Sequence, residues 1–149
     1  MTAKSNSRST ARLAAVQALF QHHMEKTPVP RLLKEFHDHR LGAEIEDEQY
    51  RPVEIDFFDE IVLGASEKRD EIDALISEKL ASGWSIGRLD KTMLQILRAG
   101  AFELMARDDV PTGTVINEYV DVAHAFFNKK DSGFVNGLLD AIAKQVRGS

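Results

Sequence analysis

The sequence predicts an all-α protein, an antiparallel bundle of six to seven helices. Three observations carry that prediction. Apolar residues recur at the three- and four-residue spacing of an α-helix along most of the chain. No segment alternates apolar and polar residues for long enough to make a strand, and no Asn-Gly hairpin signal appears. Four prolines and nine glycines punctuate the periodic stretches, leaving mostly short connections, as in bundles. At 149 residues the chain has the length of one domain, and a domain of this size buries roughly 68–70% of its unfolded surface. It reads as a single helical domain, 1–149, with residues 1–8 as a flexible basic N-terminal arm.

The first helix is expected from Ser9 or Thr10, either of which can cap it. Leu13, Val16, Leu19 and Phe20 form an apolar stripe, and Ala11, Ala14, Ala15 and Ala18 a second, small-residue face. A helix apolar on two sides packs between neighbours. Its N-terminal end, with Arg8 and Arg12 one turn apart, is then the part left to face water. Thr27-Pro28-Val29-Pro30 breaks the chain. A second helix follows with Leu32, Leu33, Phe36 and Leu41 inward, and Gly42 to Pro52 is an acidic loop. From Glu54 onward, Phe57, Phe58, Ile61, Val62 and Ala65 lead into Ile72, Leu75, Ile76 and Leu80 with one helical period. Gly64 and the charged stretch 66–70 are where that run splits into two helices.

Ser82 to Gly87 is a loop. Asp90 starts the next helix, with Met93, Ile96, Leu97, Gly100 and Leu104 on one stripe, and Asp108-Asp109-Val110-Pro111 ends it. The following helix begins at Thr112 or Thr114. It turns Val115, Tyr119, Val122 and Phe126 inward, with Ile116, Val120, Ala123 and Phe127 beside them. After a short turn at Asn128-Lys129-Lys130, Asp131 or Ser132 caps the last helix, whose core face is Val135, Leu138, Leu139, Ile142 and Val146.

Composition bounds the function. The net charge of −5 argues against nucleic acid as a sum, but the charge is polarised. Residues 1 to 24 carry Lys4, Arg8 and Arg12 and no acid, whereas Glu44 to Glu60 carries eight acids against Arg51. A basic end suits a polyanion and an acidic flank suits solvent or a basic protein; a tail with incidental charge fits equally well. There is no cysteine, which excludes disulfides and thiol chemistry and agrees with a reducing cytoplasm. No apolar run reaches the ~18–20 residues that span a bilayer, and no apolar segment follows the N-terminus as a secretory signal requires. No phosphate loop, dinucleotide fingerprint, nucleophile elbow or zinc-protease pattern occurs. His22 and His23 are adjacent and His37 and His39 are two apart, so neither pair shares a helix face as metal ligands do. The carboxylates fall on loops or on faces expected to be solvated, not in the buried convergent pairs that acid–base catalysis needs. No enzyme activity, cofactor or metal is therefore expected.

The last helix has the most informative geometry. Phe134 lies at the edge of the core stripe by helical rotation. Ser132, Gly133, Asn136 and Asp140 form the opposite, small and polar face. An aromatic at a stripe edge, after Lys129-Lys130, suits stacking on an unpaired base; a core Phe with a half-exposed edge is the alternative. Gly133 and Gly137 permit close approach of another backbone, most commonly one of the same domain. Arg88 and Lys91 stand at a helix start, where positive charge is unfavourable, and residues placed against preference sometimes serve a binding surface.

Several of these segments resemble one family. Ala15-Val16-Gln17-Ala18-Leu19-Phe20 is similar to the first-helix signature of NusB proteins. Leu89-Asp90-Lys91 through Arg98 and Glu103-Leu104, then Asp109-Val110-Pro111 with Val115-Ile116-Asn117-Glu118, resemble its later helices. Phe134-Val135-Asn136-Gly137-Leu138-Leu139-Asp140 resembles the last. The matches keep one order from about Arg8 to Ile142. The resemblance implies two packed helical subdomains and a cytoplasmic bacterial transcription antitermination factor. Such a factor binds the boxA element of ribosomal RNA leaders with NusE, a small-subunit ribosomal protein, in a complex on RNA polymerase. By position it implies RNA contact by Lys4, Arg8, Arg12, Gln17, Lys91, Asp131, Ser132, Phe134 and Asn136. It implies partner contact by Phe20 and Asp90. Two departures stand out: Ser9 and Thr10 interrupt a denser arginine run, and Phe20 stands where some members carry Tyr. Both predict weak RNA affinity without a partner. Related domains also occur fused to RNA methyltransferases, for which 149 residues leave no room. The alternative function is a helical interaction module, mainly homodimeric, with its RNA surface partly covered.

Overall fold

The structure, a computed structural model, describes residues 3–41 and 52–148, with the side chains of 8–38 and 54–148. Every regular element among them is helical. In order they are α1 (Ala3–Glu25), α2 (Val29–Glu35) running into a π-helical turn (Phe36–Leu41), α3 (Pro52–Glu67) and α4 (Arg69–Lys79). A 3₁₀ turn (Ile86–Arg88) then precedes α5 (Lys91–Ala106), α6 (Thr112–His124) and α7 (Lys129–Arg147). The chain divides into two compact units, Met1–Ser66 and Glu67–Ser149.

In the first unit, α1 is helical from Ala3, well before Ser9; residues 3–8 hold neither proline nor glycine to stop it. Its alanine face is wholly buried with Val16 and Leu19, whereas Leu13 is half-buried and Phe20 is exposed. The small side chains therefore set the packed side, because they let a neighbour come close. The helix ends at Lys26, whose φ of 59° is left-handed. Pro28 and Pro30 then reset the chain into α2, with Pro30 in its first turn, where a missing N–H costs nothing. Leu32 and Phe36 are buried, and Phe36 stacks on Phe58 of α3 with ring centroids 5.5 Å apart. Proline also opens α3, at Pro52. Phe57, Phe58, Ile61, Val62 and Ala65 are buried as their spacing predicts. Glu54, counted in the sequence with the solvated acids, is fully buried. The acidic stretch 42–51 and the inward placement of Leu41 lie outside the described side chains.

The second unit is built around α5. Every residue from Met93 to Leu104 is buried, so the single stripe read from the sequence understates it: α4, α6 and α7 all pack on this helix. Asp90 caps it, its carboxylate accepting from the Thr92 and Met93 amides at 2.8 and 3.1 Å. Two buried polar groups of α5 are paired across to neighbouring helices, while the Gln95 Nε2 has no partner among the described residues. Arg98 forms a two-pronged pair with Asp73 of α4, both hydrogen bonds 2.8 Å. Tyr119 of α6 donates to the fully buried Glu103 at 2.7 Å. Gly100 is where α5 meets α7 most closely, since a Cβ there would sit 2.9 Å from Leu139 Cδ1. Gly133 and Gly137, expected to allow such an approach, have nothing within 4 Å. Helix α6 ends at His124, so Phe126 falls past it and is exposed rather than on the core stripe. Helix α7 begins at Lys129, because Asn128, not Asp131 or Ser132, is its cap and accepts from the Asp131 amide at 3.0 Å. Its core residues are buried as predicted save Val146, which is half-buried. At its far end the Arg147 guanidinium donates to the carbonyls of Leu104, Arg107 and Val110.

Candidate nucleic-acid interface

The second unit carries a groove of about 790 Å³. Its floor is apolar, made by Leu80, Leu89, Met93 and Phe127. Two aromatic side chains stand at its mouth. Trp84, in the loop after α4, is 54% exposed, and Phe134, one turn into α7, is 38% exposed. Gly83 makes the loop possible: its φ of 90° suits glycine and turns the chain so that Trp84 faces solvent. Arg88 lies over the Trp84 ring with 5.1 Å to the centroid and donates to the Gly83 carbonyl at 2.8 Å. The cation thus fixes the indole by the ring's negative face. Lys130, Asp90 and Asp131 complete the lining.

Phe134 therefore stands at the edge of the α7 core face, half out, with exposed Gly133, Asn136 and Gly137 beside it. Lys91 is half-buried in the first turn of α5. Ser132 is buried and donates to the Lys129 carbonyl at 2.9 Å, which removes it from the exposed polar face where the sequence put it. The rotation that exposes Phe134 turns Ser132 inward. From the sequence Trp84 is only part of the 82–87 loop. The signal for it was present: the chain's single tryptophan sits in a Ser/Gly segment four residues before Arg88.

The first unit carries the basic part of α1. Arg8 is half-buried and Arg12 is 3% exposed. The expectation that both face water holds for neither in full. Both guanidinium groups lie on the ring of Phe57 from α3, at 5.0 and 4.9 Å from its centroid. Gln17 is half-buried and Phe20 is 36% exposed. Lys4 belongs to α1, but its side chain lies outside the described residues.

Among the described residues no group of three metal-ligating side chains converges. His37 meets Asp59 at 2.7 Å and His22 meets the Thr27 carbonyl at 2.6 Å, each a local tie. No helix among those residues is long and apolar enough to cross a membrane. What the arrangement offers is exposed aromatic faces with cations beside them, the combination on which unpaired bases stack and phosphates rest.

Comparison with known proteins gives the family. A model of the NusB family matches residues 9–144. The transcription antitermination protein NusB of Novosphingobium aromaticivorans is 66% identical over 94% of this chain and 95% of its own length. That of Caulobacter vibrioides is 49% identical over 94% of each. Among solved structures, T. maritima NusB superposes with a TM-score of 0.78 at 32% identity, covering 93% of this chain and 91% of its own. The antitermination factors NusB and NusE in complex with dsRNA give a match with a TM-score of 0.79 at 27% identity, covering 94% and 98%.

Proposed function

We propose, from the premise that this chain belongs to the NusB family, that it is a cytoplasmic transcription antitermination factor that binds RNA and a protein partner and catalyses nothing. Its RNA is the boxA element of ribosomal RNA leader transcripts. Its partner is the ribosomal protein NusE, and the pair acts in an antitermination complex on RNA polymerase. The observation that carries this reading is the groove of the second unit, with Trp84 and Phe134 exposed at its mouth beside Arg88 and Lys130. Single-stranded RNA is read by stacking its splayed bases on such side chains. Phosphate contacts position the strand, and Lys4, Arg8 and Lys91 have the charge for them. Asn136 and Gln17 bring amide groups suited to base edges. Asp131 lines the groove, and Ser132 holds the turn beneath it. Phe20, exposed on α1, and Asp90, at the head of α5, are assigned to the NusE contact.

The test is binding of a boxA RNA and a scrambled control, with and without NusE, across a salt series. NusE is expected to raise affinity for boxA above the control, and Phe134→Ala to reduce the difference. Equal weak binding of both RNAs in every condition would remove the RNA function and leave a helical interaction module.

A further inference from the structure

The resemblance implies RNA contact by both arginines of α1, and their surroundings separate them. Arg12 is almost wholly enclosed. A guanidinium at that depth cannot also lie against a phosphate in solvent. Arg8, one turn nearer the helix start, is only half-buried. Its Nε is enclosed and has no hydrogen-bond partner. Neither hydrogen bond nor ion pair engages its guanidinium among the described residues. What holds it is the face of Phe57, a buried ring that receives Arg8 at 5.0 Å and Arg12 at 4.9 Å.

Two like charges four residues apart on a helix repel, and an arginine with no partner samples many rotamers. The Phe57 ring addresses both, because its negative face attracts each cation. It also leaves the Nη donors of Arg8 uncommitted. A planar fork of donors, held on a ring and not satisfied by any carboxylate among the described residues, is a preorganised phosphate site: the strand need not freeze the side chain or break an ion pair with one of those residues.

We infer that Phe57 is a positioning residue for RNA binding, holding the Arg8 guanidinium in place for a backbone phosphate, while the enclosed Arg12 shares the ring but takes no part in that contact. The inference rests on the RNA-binding reading above, but on the phosphate backbone only, not on boxA.

The experiment measures binding of a boxA RNA and a scrambled RNA of equal length by the wild type, Arg8→Ala, Phe57→Leu and the double variant, across salt. Thermal melts are run beside it. Loss of one phosphate contact on single-stranded RNA flattens the log–log salt slope by about 0.7. Arg8→Ala is expected to show that change with a several-fold loss of affinity. Phe57→Leu, which keeps apolar volume and removes the ring, is expected to show the same change, and the double variant to be no weaker than Arg8→Ala. Should Phe57→Leu fail to fold, pentafluorophenylalanine at position 57 keeps the shape and reverses the ring's charge distribution, with the same expected result. A folded Phe57 variant with the wild-type salt slope, or losses that multiply in the double variant, would overturn the inference. Coupling seen equally with both RNAs would support it while removing the boxA preference, and absence of binding to either RNA would overturn both.

Discussion

Arg147 offers the sharpest stability test in the molecule. It lies at the C-terminal end of α7, and its guanidinium reaches the C-terminal end of α5 and the turn that follows. Nε donates to the Leu104 carbonyl at 2.9 Å, and Nη1 to the Val110 carbonyl at 2.8 Å and the Thr112 hydroxyl at 3.1 Å. Nη2 donates to the Arg107 carbonyl at 2.7 Å, with Glu103 further away at 3.4 Å. The last carbonyls of a helix have no partner within it, so one side chain caps α5, pins the 107–112 turn and ties both to α7. Hydrogen bonds to a charged group are worth about 1.5–3 kcal/mol each. They all come from one side chain and are half-buried, so water replaces part of what is lost. The favourable placement of a cation at a helix C-terminus adds roughly 0.3–1 kcal/mol. Arg147→Ala is therefore expected to cost about 2–4 kcal/mol, well under a simple sum, against a total stability on the order of 5–15 kcal/mol. At about 2–4 °C per kcal/mol for a chain of this size the midpoint falls by roughly 4–16 °C. Urea titration followed by circular dichroism, with a thermal melt, measures both. Arg147→Lys separates charge from geometry, since an ammonium cannot span carbonyls on three sides; it should recover less than half the loss. The reasoning fails if the alanine variant lies within about 0.5 kcal/mol of wild type, the range of an ordinary surface change.

Other perturbations bear on single features. Tyr119→Phe takes from Glu103 the hydroxyl that donates to it at 2.7 Å, and should cost about 1–3 kcal/mol in a denaturant titration. The two kinds of helical glycine should respond with opposite signs in the same assay. Gly100→Ala drives a methyl to 2.9 Å from Leu139 and should cost about 1–3 kcal/mol, whereas Gly137→Ala enters open space and should gain roughly 0.5–1 kcal/mol from helix propensity. Lys26→Gly relieves a left-handed residue at the end of α1 and should raise the melting midpoint, the strain being about 1 kcal/mol. Trp84→Ala removes a stacking face from the groove mouth. RNA affinity should fall by about 1–3 kcal/mol with the salt slope nearly unchanged, since a stacked base releases no counterion.

Helical class, the split between α3 and α4 and the Asp90 cap were legible because each depends on local sequence. Spacing assigns a face, and a capping carboxylate finds amides of its own first turn. The failures share one physical origin: periodicity tells which residues share a face, not what lies against it. It placed Arg12 in solvent because arginine usually is, and could not foresee an aromatic ring arriving from α3. It gave α5 one buried stripe where neighbours surround the helix, and it gave Gly133 a close neighbour that Gly100 has instead. It ended α6 after Phe126, though the chain turns at His124. With Asn128 passed over as a cap for Asp131 and Ser132, α7 comes out too short, and Ser132, which helical rotation sets about 60° from the core centre, belongs on the inner side where the structure has it.

The acidic net charge and an RNA-binding role are compatible once each carboxylate near the groove is followed to what it touches. Asp90 lines the groove, but one of its oxygens accepts two amides at the start of α5, so much of its field is met by backbone dipoles. Asp131 sits in the first turn of α7, where the positive end of the helix offsets an anion. The two cations differ: Arg88 lies on an indole face and donates to the Gly83 carbonyl, whereas Lys130 is exposed in a first turn, where its charge is locally unfavourable. A phosphate near the mouth would meet two partly neutralised acids, an arginine held in place on an indole face, and a lysine whose own helix disfavours it until an anion arrives. Binding an anion would relieve Lys130 of repulsion from its helix, whereas binding a cation there would compound it. The groove's formal charge is balanced, but its response favours a polyanion, and charge counts along a sequence cannot register that difference.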